Sequence, residues 1–136
     1  RGEGRILIMS SMTAWTPFPT MSLYGSTKVA LKSFAQSLWY EFRESGVSVT
    51  TVFPGAVDTP LYNLSQSKRR LFRSLGVMMS AETLARRGLR AMFRGCRTCT
   101  PGLFTKIASF ACYLLPAHAL LPVMKIPAIR RILQRI

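Results

Sequence analysis

The sequence predicts an α/β protein built around a small parallel sheet. Three observations carry that expectation. Arg5–Ser11 (RILIMSS) is a continuous apolar run closed by serines. From about Leu23 to Ser45 the apolar residues recur with a helical period. Val47–Phe53 (VSVTTVF) is rich in β-branched side chains. A run apolar on both faces suits a strand covered on both sides, as in parallel sheets. Strand, long helix, strand is a βαβ unit, whose strands run parallel and are joined by a right-handed crossover.

The elements follow in order. After the first strand, Pro17 and Pro19 mark a loop. In the helix, Leu31, Phe34, Ala35, Leu38, Trp39 and Phe42 form one apolar stripe, and Gly46 is placed as a left-handed stop. Pro54-Gly55 closes the second strand. Residues 61–79 are polar and basic and read as a mobile helical flap. Ser80 is then placed as the N-cap of a further helix running to Gly95, with Glu82 favourable in its first turn. In that helix Ala81, Leu84, Ala85, Gly88, Leu89 and Met92 form one face, and Arg86, Arg87, Arg90 and Arg94 the other. RTCT before Pro101-Gly102 reads as a third, short strand.

With 136 residues, 49% of them hydrophobic, the protein is able to bury a core and is not composed like a disordered segment. Its net charge of +14 is lopsided: residues 61–136 hold fourteen Lys/Arg against Glu82 alone. An acidic partner would meet the second half. Nucleic acid is not that partner, because Phe34, Trp39 and Phe42 lie on an apolar stripe and do not alternate with cations as stacking platforms would. Cys96, Cys99 and Cys112 lack a disulfide framework and suit a reducing compartment. One C-x-x-C with His118 as the single histidine is short of a zinc ligand set, so no metal site is expected.

The chemistry concentrates in residues 10–28. Tyr24 and Lys28 are four apart at the start of the first helix, so they project from one face a turn apart. An ammonium beside a phenol favours the phenolate and draws a tyrosine toward a working acid/base range. Ser11 stands where the first strand ends, and active crevices of open α/β sheets form at those carboxyl ends. A hydroxyl that holds a substrate oxygen beside a tuned phenol would suit a carbonyl/alcohol redox site; the same residues read equally as an ordinary Tyr/Lys pair on a helix and a loop serine at a strand end.

GRILIMSS, then YGSTK with Ser11 thirteen residues before Tyr24, then PGAVDT together resemble the C-terminal half of a short-chain dehydrogenase/reductase (SDR). The resemblance covers residues 4–60 closely and 61–102 loosely. It implies the C-terminal part of a Rossmann-type doubly wound parallel sheet of about three strands with flanking helices. It also implies an oxidoreductase that interconverts a ketone and a secondary alcohol with NAD or NADP, NADP being favoured. By that resemblance Tyr24 is the acid/base, Lys28 holds the nicotinamide ribose and tunes Tyr24, and Ser11 polarises the carbonyl. Pro54 and Gly55 let their loop pass close to the nicotinamide, whose carboxamide Val57 and Thr59 contact. Thr13-Ala14 stand where the family often has Ala-Gly. The glycine-rich turn, the asparagine of the catalytic set and the residue that selects NAD or NADP would lie upstream of Arg1. The protein is therefore expected to be a fragment, inactive alone, with its nucleotide-binding half elsewhere.

Two regions are expected: 1–102, the half-domain with its catalytic residues, and 103–136, a basic, apolar helical tail. Ile107–Met124 carries no charged side chain between Lys106 and Lys125, and Pro116, Pro122 and His118 interrupt it. Ile126, Ile129, Ile132, Leu133 and Ile136 then oppose Arg130, Arg131 and Arg135, as in a helix lying in an anionic lipid interface. Three readings stay open for this tail: a peripheral membrane contact, a cover over the cleft or a dimer partner, and a membrane span. The expected partners are a hydrophobic or lipid-like carbonyl or alcohol, a membrane surface and, at full length, a second copy. The expected place is the cytoplasm, against the inner face of a membrane. The rival reading is a non-catalytic membrane-associating or protein-interaction piece with an idle triad.

Overall fold

The computed structural model describes residues 2–15, 18, 21–60, 65–114 and 122. The elements are β1 (Gly4–Met9), a single 3-10 turn (Met12–Ala14), α1 (Ser22–Glu41), β2 (Val47–Val52), β3 (Ala56–Asp58), α2 (Gln66–Ser74), β4 (Met78–Ser80), α3 (Ala81–Phe93), β5 (Thr98–Cys99) and α4 (Leu103–Leu114). Among the described residues β1, β2 and β5 form a three-stranded sheet in the order β1-β2-β5, and both pairings are parallel. The expected α/β architecture is present. β1 and β2 pair from Gly4 with Val47 through to Met9 with Val52. The hydrogen-bond ladder continues past the strand ends: Ser10 N–H donates to Val52 O at 2.9 Å and Met12 N–H to Pro54 O at 2.9 Å. The loops after β1 and β2 are thereby tied side by side.

The middle strand is the core. Val49, Thr50, Val52 and the following Phe53 are no more than 2% exposed, because β2 is paired on both edges and packed against by α1 and α3. The hydroxyl that Thr50 brings into this core donates to Cys96 O at 2.6 Å, which removes the cost of burying it. Gly46 has φ +73°, and a Cβ there would run into the Gly2 carbonyl oxygen; only glycine makes this turn. Ser80 caps α3 as expected, its Oγ accepting from Thr83 N–H at 3.2 Å.

Two helix faces differ from the periodic reading. In α1 the buried centre is Ala35, flanked by the half-buried Leu31 and Leu38, while Phe34 is 54% exposed. The apolar stripe is wider than the strip that rests on the sheet, and Phe34 falls on its outer flank. In α3 only Leu84 and Gly88 are buried; Ala81, Ala85 and Leu89 face outward. Gly88 is buried where α3 meets the sheet, and a Cβ there would lie 3.4 Å from Val52 Cγ2 and 3.6 Å from Leu7 Cδ1, ordinary contacts that an alanine could also make.

Residues expected as a single flap divide into the helix α2 and the strand β4, which pairs in parallel with β3. Asp58 anchors the pair to α2, with Arg69 and Arg73 each 3.5 Å from its carboxylate. Of the 103–136 tail, α4 is described and is inverted. Thr105 and Ser109 are buried, whereas Leu103, Ile107, Phe110, Tyr113 and Leu114 are exposed. No helix among the described residues is long and apolar enough to cross a membrane. The amphipathic segment from Ile126 to Ile136 lies outside the described residues.

Candidate active site

The carboxyl ends of β1 and β2 and the first turns of α1 meet at one place. Lys28 joins them. Its Nζ donates to Met9 O, the last residue of β1, at 3.2 Å and lies 5.4 Å from the centroid of the Tyr24 ring. One ammonium thus touches the strand end and the face of the phenol a turn before it, an electrostatically favourable placement. Ser10 fastens the same contact from the other side: its buried Oγ donates to Lys28 O at 2.9 Å. The α1 register relative to β1 is therefore fixed by a reciprocal pair of bonds.

Ser11 is 6% exposed, and its Oγ accepts from Thr13 N–H at 3.2 Å. The hydroxyl caps the Met12–Ala14 turn with its oxygen, which leaves its proton to donate. Tyr24, by contrast, is 43% exposed. One hydroxyl is therefore held by the backbone and the phenol is open to solvent.

The loop after β2 carries the remaining sequence candidates. Pro54 O accepts from Met12 N–H, so Pro54 lies against the Ser11 turn. Gly55 has a structural reason to be glycine in addition to the one inferred from sequence: a Cβ there would stand 2.5 Å from Thr105 Oγ1 of α4. Val57 is the middle residue of β3, paired with Met79. Thr59 follows that strand, its Oγ1 donating to Val57 O at 3.5 Å, while its own carbonyl accepts from Arg69 Nη2 at 3.4 Å. Lys28 thus brings Tyr24 to the end of β1, and Pro54 lies against the turn that Ser11 caps. Val57 belongs to the β3–β4 pair and Thr59 follows it.

Two supporting residues escaped the sequence reading. Lys32, one turn after Lys28, reaches Ala14 O at 3.4 Å and lies 4.0 Å from the Trp15 ring centroid. Burial lowers its pKa from the ordinary lysine value. Trp15 packs on Phe53 with ring centroids 5.1 Å apart. Lys32 and Trp15 together hold the Ser11 turn down on the sheet. The only signal for them in the sequence is the four-residue step from Lys28. No group of three or more potential metal ligands occurs among the described residues.

The profile of the short chain dehydrogenase family matches residues 1–70. The chain belongs to that family. An 11-beta-hydroxysteroid dehydrogenase A of Sesamum indicum is 33% identical over 108 residues, covering 72% of this chain and 31% of the relative. The 2,3-dihydro-2,3-dihydroxybenzoate dehydrogenase of Escherichia coli is 37% identical over 91 residues, covering 67% of this chain and 33% of the relative. The chain thus spans about a third of the length of these curated relatives. In fold it is similar to a short-chain dehydrogenase of Sphingobium yanoikuyae solved with NADPH. That match has a TM-score of 0.59 and 24% identity, covering 89% of this chain and 44% of the other.

Proposed function

We propose that these residues form the catalytic half of a nicotinamide-dependent oxidoreductase that interconverts a ketone and a secondary alcohol. The observation that carries this reading is the position of Lys28, on the carboxyl end of β1 and against the ring of Tyr24. Tyr24 gives its phenolic proton to the carbonyl oxygen in reduction and takes it back in oxidation. Ser11 donates to the same oxygen and orients it, with Thr13 N–H fixing the serine oxygen. Lys28 keeps a positive charge beside Tyr24 and stabilises the phenolate left after transfer.

The donors suit a nicotinamide ribose. An ammonium has three N–H donors, and one of Lys28's is spent on Met9 O; the others, with the exposed Tyr24, would hold the ribose hydroxyls. Pro54 and Gly55 would line the nicotinamide, and Val57 and Thr59 its carboxamide. The bound cofactor supplies or accepts the hydride. NADP is our preferred form, supported by the NADPH complex of the Sphingobium relative. An apolar, steroid-like carbonyl is our preferred substrate class, supported by the name of the sesame relative.

The 136-residue chain is proposed to be inactive alone, because its match covers 44% of the Sphingobium chain. The test is ketone-dependent NADPH oxidation by the complete gene product. Tyr24→Phe should lower turnover about 10²- to 10⁴-fold, the range for a lost general acid, with substrate affinity retained. Full activity in that variant defeats the catalytic reading. Turnover by the 136-residue chain defeats the statement of inactivity.

A second reading concerns the membrane and rests on the inverted helix α4. Its outward residues Leu103, Phe104, Ile107, Phe110 and Leu114 are 47–75% exposed. They belong to the half of the protein in which fourteen Lys/Arg face one acid. An apolar face in a half of the chain with a large excess of cations suits an anionic bilayer surface. Co-sedimentation with phosphatidylglycerol vesicles should be lost in the double variant Ile107→Ser/Phe110→Ser. Unchanged sedimentation rules α4 out as the contact.

A further inference from the structure

A pocket of about 750 Å³ opens between α3, β5 and α4. It lies apart from the proposed chemistry: Ser11, Tyr24, Lys28 and the Pro54-Gly55 loop contribute nothing to its lining. Its size is that of a small-molecule site. We propose that it binds a single-chain anionic amphiphile, an alkyl or acyl chain ending in a phosphate, sulfate or carboxylate.

The charge comes first. Arg87, Arg90 and Arg94 enter the pocket from α3 and Lys106 from α4. The three arginines lie at i, i+3 and i+7, on one helix face. The acid on α3, Glu82, is engaged with Arg86 at 2.7 Å, and Arg86 is not part of the lining. Residues 83–136 contain no Asp or Glu, so no carboxylate side group from that segment neutralises these cations. Four like charges around one opening repel each other, and an anion entering it removes that repulsion.

The remaining wall is aromatic. Trp15, Phe110 and Tyr113 line it, with the Trp15 and Tyr113 rings edge to face at 6.3 Å between centroids. Two polar atoms on this wall are buried and lack a hydrogen-bond partner among the described residues: Trp15 Nε1 and Ser109 Oγ. Ser109 is 9% exposed. An indole N–H is a donor only and a serine hydroxyl can donate. Both atoms are closed off from solvent as they stand, and a side-chain shift on binding would let an acceptor-rich head group pair them. Arg87 and Lys106 also both act on the Cys99 thiol, opposing the rise that its burial and the neighbouring Cys96 impose. An inorganic anion would leave the aromatic wall wet, and a neutral lipid would leave the cations unpaired. A hydrocarbon tail with an anionic end satisfies both parts.

The test is calorimetric titration of the protein with dodecyl phosphate below its micelle concentration. We expect saturable binding of one ligand per protein molecule, and slower alkylation of Cys96, which lines the pocket, when ligand is present. The exposed pair Arg90→Gln/Arg94→Gln should weaken binding about tenfold or more, the loss expected for charge-assisted contacts. Lys68→Gln/Arg70→Gln removes the same charge outside the pocket and should change affinity by less than about twofold, as expected of screened, distant charge. Inorganic phosphate and dodecyl maltoside should each fail to protect Cys96. Equal losses in the two double variants would overturn the proposal, as would unprotected Cys96. So would binding to phosphatidylglycerol vesicles without binding of monomeric dodecyl phosphate, which would mark surface adhesion instead of a pocket. If the arginine pair fails to fold, Ser109→Val, which removes the buried hydroxyl, must weaken dodecyl phosphate for the proposal to stand.

Discussion

Ser11, Tyr24 and Lys28 were legible in the sequence because two local rules place them. A strand end fixes Ser11, and a four-residue helical step sets Tyr24 beside Lys28. What the spacing does not contain is the carbonyl that Lys28 grips, because Met9 reaches it only through the fold. The same is true of Lys32, whose partners Ala14 and Trp15 lie across the cleft from α1. Lys32 gives a pH signature. Burial lowers its pKa below the ordinary 10.5, so in the depressed range the unfolded protein binds more protons than the folded one. Stability contributed by this group therefore rises as pH climbs through the folded value toward 10.5, and its cost is fully present below that window. Lys32→Met should lack this rise. Denaturant midpoints of the two proteins measured from pH 7 upward check it; parallel curves would mean that the ammonium is not desolvated in the folded protein.

Long elements announced themselves and short ones did not. β1, α1 and β2 have enough residues for a period or a β-branched run to show. β3 and β4 have three residues each, too few for any pattern, and Met78 and Met79 fall within the expected flap. The cap at Ser80 was legible because it rests on one residue type in one position. Its contribution can be measured: Ser80→Ala removes the acceptor for Thr83 N–H and the partner of Thr83 Oγ1 at 2.8 Å. The loss should be about 1 kcal/mol by chemical denaturation, with Ser80→Asp recovering most of it. A neutral alanine variant would show that β4 pairing, not the cap, starts α3. The inversion of α4 was unreadable for the opposite reason. Its sequence has a clear apolar face, but the surface it meets accepts Thr105 and Ser109 instead.

That contact between α4 and the loop after β2 joins the two halves of the molecule and gives Gly55 two competing explanations. In one, glycine lets the nicotinamide approach; in the other, it lets Thr105 pack. Geometry separates them. An added Cβ at Gly55 would meet Thr105 Oγ1 at 2.5 Å and Cγ2 at 3.1 Å, but Thr105 Cβ at 3.4 Å, an ordinary contact. Trimming Thr105 to alanine therefore makes room for alanine at 55. Gly55→Ala alone should cost about 1–3 kcal/mol of stability, the usual penalty of overpacking. In the double variant Gly55→Ala/Thr105→Ala the loss should fall short of the sum of the single losses by about 1 kcal/mol or more, the coupling expected of touching residues. Additive losses would mean that α4 does not rest on this loop. Activity of the complete gene product then decides between the two explanations. If Gly55 serves packing alone, the double variant regains turnover with stability; if the nicotinamide needs the bare backbone, stability returns and KM for the dinucleotide stays raised.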